Sequence, residues 1–184
     1  GASERKAKVA GGATGVRTGI PEYKLTLEIA KKLKKELKNR GYEVFMVRTK
    51  NDVNISNAER AVAVNKSGAD ICIRIHADGV DDHSVRGASA LYPTKANPYV
   101  SHLSKPSQKL SNCVLNSYCA KTGIRNRGLS ARNDLTGTNW SNIPVTLIEL
   151  GFLSNSEEDL EMHTPDFQKN MVVGIANGID KYFK

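Results

Sequence analysis

A chain of 184 residues suits one domain with one core, and 39% hydrophobic with 25% charged residues is a globular balance that argues against disorder. No apolar run approaches the roughly 20 residues that cross a bilayer, so no membrane span is expected, and Gly1–Lys6 has no apolar stretch behind its charges of the kind a signal peptide carries. The net charge of +8, from 27 basic and 19 acidic residues, favours a polyanionic partner. Nucleic acid, an anionic membrane surface and an anionic cell wall all satisfy that charge. The basic residues mix with acidic ones along Lys31–Lys38, however, as on a solvated helix face. Aromatics at 6% are too few for a base-stacking platform, and no recognition motif is present, so nucleic acid is not an expected partner.

Residues 1–20, with Gly11-Gly12-Ala13-Thr14-Gly15, read as an irregular loop. Pro21 opens a helix in which Leu25, Ile29, Leu33 and Leu37 form an apolar stripe, and Gly41 supplies the left-handed cap. Tyr42 to Arg48 is expected as a strand. Ser56-Asn57-Ala58-Glu59 has capping-box spacing and starts a second helix that Gly68 closes. From Asp70 to His76 the alternation predicts a strand, with Ile71, Ile73 and Ile75 on one face and Cys72, Arg74 and His76 on the other. Ala88–Tyr92 is a further short strand. A proline-containing loop then leads to a helix with Leu110, Cys113, Val114 and Tyr118, ending near Gly123. Asn126–Asn142 is polar and aperiodic, long enough for a functional loop. Ile143–Glu149 is the last strand, and Thr164-Pro165 begins a final helix with Phe167, Met171, Ile175 and Ile179 as its stripe. The strand–helix–strand rhythm predicts a single α/β domain, a twisted, mostly parallel sheet with helices on both faces. Cys72, Cys113 and Cys119 lack metal-binding spacing. Cys72 reads as a core residue, and Cys113 and Cys119, six apart on one helix, are not expected to pair.

Three residues stand at element ends where chemistry gathers. His76 closes an apolar strand, the position that catalytic groups favour in open α/β sheets, although a histidine can simply finish a strand. Glu149 ends the most apolar strand, where desolvation would raise its pKa toward the range useful for proton transfer; a cap or an arginine partner is the alternative. Glu22 begins the first helix, where a carboxylate also complements the helix dipole. Together, one histidine and two glutamates make a plausible hydrolytic zinc site, since such sites use His and carboxylate ligands plus a water.

Four blocks resemble the zinc-dependent N-acetylmuramoyl-L-alanine amidases of the type-3 amidase family: Pro21–Leu27, Ser56–Ala61, Ile73-Arg74-Ile75-His76-Ala77-Asp78 against the family's S-I-H-A-N, and Ile143–Asn155. They follow the family's order from Pro21 to the end, and the last block is the most specific. The resemblance implies Glu22 and His76 as ligands of one zinc ion and Glu149 as the catalytic carboxylate. It implies hydrolysis of the amide between N-acetylmuramic acid and L-alanine in bacterial peptidoglycan, the chemistry of an extracytoplasmic autolysin in the cell wall or secreted, and a monomer. The segment Arg132–Trp140 is similar to the family's substrate groove, with Arg132 and Asn139 as candidate contacts; a surface loop with a packed Trp140 is the alternative. The family opens with a strand and a Gly-His loop carrying another zinc ligand, whereas the histidines here are His76, His83, His102 and His163, none before Glu22. The expectation is an amidase catalytic domain over 1–184 that lacks its first strand and first zinc-ligand loop. Loss of that ligand, or its replacement by His83 or His102, is the alternative, and a catalytically silent peptidoglycan-binding relative is the second functional reading.

Overall fold

The computed structural model describes residues 11–184. Helix α1 (Glu22–Asn39) buries Leu25, Ile29, Leu33 and Leu37, the stripe that the four-residue spacing predicts, and the chain leaves it through Gly41 at φ +89°. Helix α2 (Asn57–Lys66) starts in a complete capping box: Ser56 Oγ accepts from Glu59 N at 3.2 Å, and Glu59 Oε2 accepts from Ser56 N at 2.7 Å. Strands β1 (Cys72–Asp78) and β2 (Ala88–Pro93) follow, then α3 (Ser104–Thr122), β3 (Asn126–Arg132), the short α4 (Thr136–Asn139), β4 (Val145–Phe152), α5 (Ser156–Met162) and α6 (Pro165–Phe183).

The four strands form one sheet in the order β1-β4-β2-β3. β1 pairs with β4 and β2 with β3 in parallel, while β2 and β4 run antiparallel. The fold is therefore the expected α/β domain with a mostly parallel, mixed sheet. Helix α3 covers one face and satisfies its buried polar groups against β4: Ser111 Oγ donates to Thr146 Oγ1 (2.7 Å) and Tyr118 Oη to the Leu150 carbonyl (2.7 Å). Helix α6 packs on α3 so closely that a Cβ on Gly178 would lie 2.4 Å from Val114 Cα. On the opposite face, α4 meets Arg74 through Gly137, with α2 beside it.

Some expectations are corrected. Tyr42–Arg48 keeps its alternation, with Tyr42 and Val44 half-buried and Glu43 and Phe45 exposed, but it joins no ladder among the described residues. Residues 126–142 are not one loop, since they contain the edge strand β3 and the helical turn α4. An edge strand with both ends exposed shows no apolar period, which hid it. Strands β1 and β4 run two or three residues past His76 and Glu149. Helix α5, capped by Asn155 accepting from Glu157 N and Glu158 N, was not expected. The three cysteines are free. The expected absence of an opening strand and ligand loop concerns the chain before Gly11, outside the described residues.

Candidate active site

In the parallel pairing of β1 with β4, His76 lies opposite Glu149. Register partners in neighbouring parallel strands share a face, so both side chains rise from the side of the sheet away from α3. The ladder slips between His76 and Asp78, where Leu153 N reaches the Asp78 carbonyl at 2.8 Å. Such an irregularity next to a site re-aims side chains.

The third residue comes from α1. Glu22 N donates to the Ala13 carbonyl at 2.8 Å, which sets the helix start against the preceding loop. Its carboxylate Oε1 lies 2.8 Å from His76 Nδ1 and 3.3 Å from Ala77 N, which donates to it. Gly12, at φ +72°, lies under this carboxylate, and a Cβ there would come within 2.2 Å of Glu22 Oε2. The Glu22 and His76 side chains are 14% and 36% exposed, so the pair is sheltered but open on the histidine side.

The two glutamates sit in opposite electrostatic settings. For Glu22 burial opposes the charge, but the hydrogen bond and charge of His76, with the backbone of Ala77 and Ala13, outweigh it and hold the pKa below the ordinary carboxylate value. For Glu149 burial comes first, then the charges of Asp78 and Glu22, and with only Arg74 opposing them they push the pKa up to about 8. Its Oε2 is buried without a hydrogen-bond partner among the described residues. One carboxylate is thus held ionised and the other held ready to carry a proton, the division of labour that acid–base sites use.

Sequence reasoning missed the residues that brace this arrangement. Asp159, buried at the middle of α5, accepts from Arg17 N (2.8 Å), Thr18 N (2.8 Å) and Thr18 Oγ1 (2.8 Å), and so pins the loop that leads into Glu22. Glu158 accepts from Gly87 N (2.6 Å) and Phe152 N (2.8 Å), tying the entry of β2 to the end of β4. The available signal was the run Asn155-Ser156-Glu157-Glu158-Asp159, an N-cap followed by acids.

Arg132 and Asn139 are not brought to Glu22, His76 and Glu149. Arg132 ends the outer strand β3 and forms a bidentate pair with Asp134 at 2.8 and 2.5 Å. Asn139 is buried, with Oδ1 accepting from Asn97 Nδ2 (2.8 Å) and Nδ2 donating to the Asn133 carbonyl (2.6 Å). Among the described residues no group of three His, Cys, Asp or Glu side chains is arranged to hold a metal ion, so neither His83 nor His102 joins the pair. Glu22 and His76 nevertheless fit as two ligands of one ion: a carboxylate oxygen and an imidazole nitrogen face each other, and that donor set suits zinc.

Comparison with known proteins gives the family. The family profile described as N-acetylmuramoyl-L-alanine amidase matches residues 4–181. The amidase AmiA of Salmonella typhimurium is 26% identical over 208 residues, covering 94% of this chain and 71% of that protein. The crystal structure of an N-acetylmuramoyl-L-alanine amidase from Clostridium difficile 630 superposes with a TM-score of 0.85 at 28% identity, covering 94% of this chain and 89% of that one. The catalytic domain of CwlV, the amidase of Bacillus (Paenibacillus) polymyxa, gives 0.82 at 25% identity, with 94% and 90% covered. A profile match over nearly the whole length, together with the fold shared with these enzymes, establishes that the chain belongs to the N-acetylmuramoyl-L-alanine amidase family.

Proposed function

We propose that this chain hydrolyses the amide between N-acetylmuramic acid and L-alanine in peptidoglycan with one zinc ion, outside the cytoplasmic membrane and as a monomer. The observation that carries the reading is Glu149 Oε2, buried without a hydrogen-bond partner among the described residues, on the strand position opposite His76 of the Glu22–His76 donor pair. Glu22 and His76 would hold the metal, which when bound supplies Lewis-acid polarisation of the scissile carbonyl and makes the attacking water more acidic. Glu149 takes the proton from that water and delivers it to the nitrogen of L-alanine, because an amide nitrogen leaves poorly unless protonated. Ionised Glu22 keeps negative charge near Glu149, which favours a proton on Glu149 when it acts as the acid. Arg132, exposed beyond the sheet edge, is a candidate for contact with substrate further along the groove. Asn139 would act through the loop that it braces.

Among the described residues no helix is long and apolar enough to cross a membrane. Incubation of purified cell walls with the zinc-loaded protein should release new L-alanine amino termini, with zinc counted by mass spectrometry on the same sample. Walls that are bound but gain no amino termini would replace this reading with a catalytically silent wall-binding protein.

A further inference from the structure

A second concavity lies at the far end of the sheet from His76 and Glu149. It measures about 670 Å³, within the range of small-molecule sites. Its walls come from three separate stretches: the end of α2 with Asn65 and Lys66, the stretch after β2 with Tyr99 and His102, and the segment between α4 and β4 with Trp140 and Asn142. The last of these stops short of Val145, which itself stands about 13 Å before Glu149 along β4. The pocket is therefore separate from the site already described.

Side-chain amides lock the three walls together. Asn65 Nδ2 donates to the Trp140 carbonyl (2.8 Å), and its Oδ1 accepts from Asn142 N (2.9 Å). Asn97 Oδ1 accepts from Tyr99 N (2.9 Å) and Val100 N (3.0 Å), while its Nδ2 donates to Asn139 Oδ1 (2.8 Å). The pocket is thus formed before any ligand arrives, which lowers the ordering cost of binding. Tyr99 is nevertheless 43% exposed, a large ring that the fold does not bury. Trp140 Nε1 is buried with no hydrogen-bond partner among the described residues, and such a donor calls for an acceptor from a ligand or a water.

We propose that this pocket binds a saccharide unit of a glycan strand, away from the amide that is cut. Tyr99 and Trp140 are amphipathic aromatics, whose rings give a sugar face an apolar surface to lie on. The exposed amide of Asn142 offers a donor and an acceptor together, which is what hydroxyl and N-acetyl groups need. Among the described residues no carboxylate lines the pocket, and its basic side chains are the exposed Lys66 and His102, so it tolerates an acidic substituent and disfavours a cationic ligand. The proposal rests on the amidase reading for the identity of the polymer, since peptidoglycan is a peptide-bearing glycan. To that reading it adds a holding point that does not touch the scissile bond.

The test uses Trp140, the single tryptophan, as its own reporter. The metal-free chain is titrated with a tetramer of N-acetylglucosamine, a glycan that carries no peptide, and tryptophan emission is followed beside calorimetric heat. The expected result is a saturable change in emission with matching heat. Tyr99→Ala should weaken binding at least about tenfold with an unchanged melting curve, Tyr99→Phe should retain most of it, and Glu149→Gln should bind as wild type does. No saturable binding by the wild-type chain overturns the proposal, as does binding that survives Tyr99→Ala or is lost in Glu149→Gln. Heat without an emission change places the sugar elsewhere and overturns it too. The wall-cutting assay run in parallel tests the amidase reading separately: cut walls without sugar binding fail this proposal alone, and sugar binding with uncut walls fails that reading alone.

Discussion

Replacing Glu149 by Gln in the metal-free protein isolates the effect of burying this carboxyl. Its pKa is about 8 in the fold against an ordinary value of 4.5, so the unfolded chain releases the proton first as pH rises. Between those two values the unfolded state binds fewer protons than the folded one, and stability must fall through the window and level off above it. At about 1.4 kcal/mol per pKa unit, the cost of keeping Glu149 folded is about 1 kcal/mol at pH 5, larger by about 2–3 kcal/mol at pH 7, and larger again by about 1 kcal/mol at pH 9. Gln has no such titration, and whatever its amide gains or loses in hydrogen bonding does not vary with pH. The stability of Glu149→Gln relative to wild type should therefore grow by about 2–3 kcal/mol from pH 5 to 7 and by about 1 kcal/mol more to pH 9. Urea unfolding with a chelator present, followed by the fluorescence of Trp140, the single tryptophan, measures the difference directly. Stability profiles that run parallel across the three pH values would refute the raised pKa. In the zinc-loaded protein the same substitution should cut wall hydrolysis by about 10²–10⁴-fold.

His76→Ala should lose bound zinc along with activity while its metal-free melting curve stays near wild type, and stoichiometric metal in that variant would remove His76 from the ligand set. Asp159→Ala should cost about 2–4 kcal/mol in urea unfolding, because it strips acceptors from two backbone amides and a hydroxyl; hydrogen exchange should speed up first at Arg17 and Thr18. Gly178→Ala drives a methyl group into the α3 backbone and should cost about 1–3 kcal/mol, visible as a fall in Tm of about 2–12 °C, with no change in zinc content.

The helices were legible because their burial is one-sided and their ends are chemically marked: the α1 stripe, the Ser56–Glu59 box, Gly123 at φ +77° after α3, and Pro165 opening α6. Strand β3 was not legible, since an exposed edge strand is specified by its ladder to β2 rather than by its own side chains. Tyr42–Arg48 shows the converse, a sequence with strand alternation that finds no ladder partner among the described residues. Glu22, His76 and Glu149 were picked out because each follows or opens a segment that its apolar neighbours announce, although β1 and β4 run two or three residues past His76 and Glu149. What brings them together was invisible. The His76–Glu149 register joins strands more than 60 residues apart in sequence, and the Glu22–His76 contact depends on how α1 docks against β1.

The contrast between the two glutamates follows from where the fold puts their oxygens. Glu22 begins a helix, so it faces an adjoining loop and a strand end, and donors from His76 and Ala77 converge on one oxygen. Glu149 sits inside a strand flanked on both sides by β1 and β2, where the backbone donors are already used in the ladders and none remains for its Oε2. That difference lasts only while the loop before Glu22 stays in place, and the loop is tied by Asp159 to α5 and by Val16 N to the Leu153 carbonyl at 2.9 Å. Helix α5 thus holds the ligand side through Asp159 and the end of the Glu149 strand through Glu158. A substitution in α5 that touches no substrate should behave as a site mutation, loosening Glu22 from His76 before it unfolds the sheet.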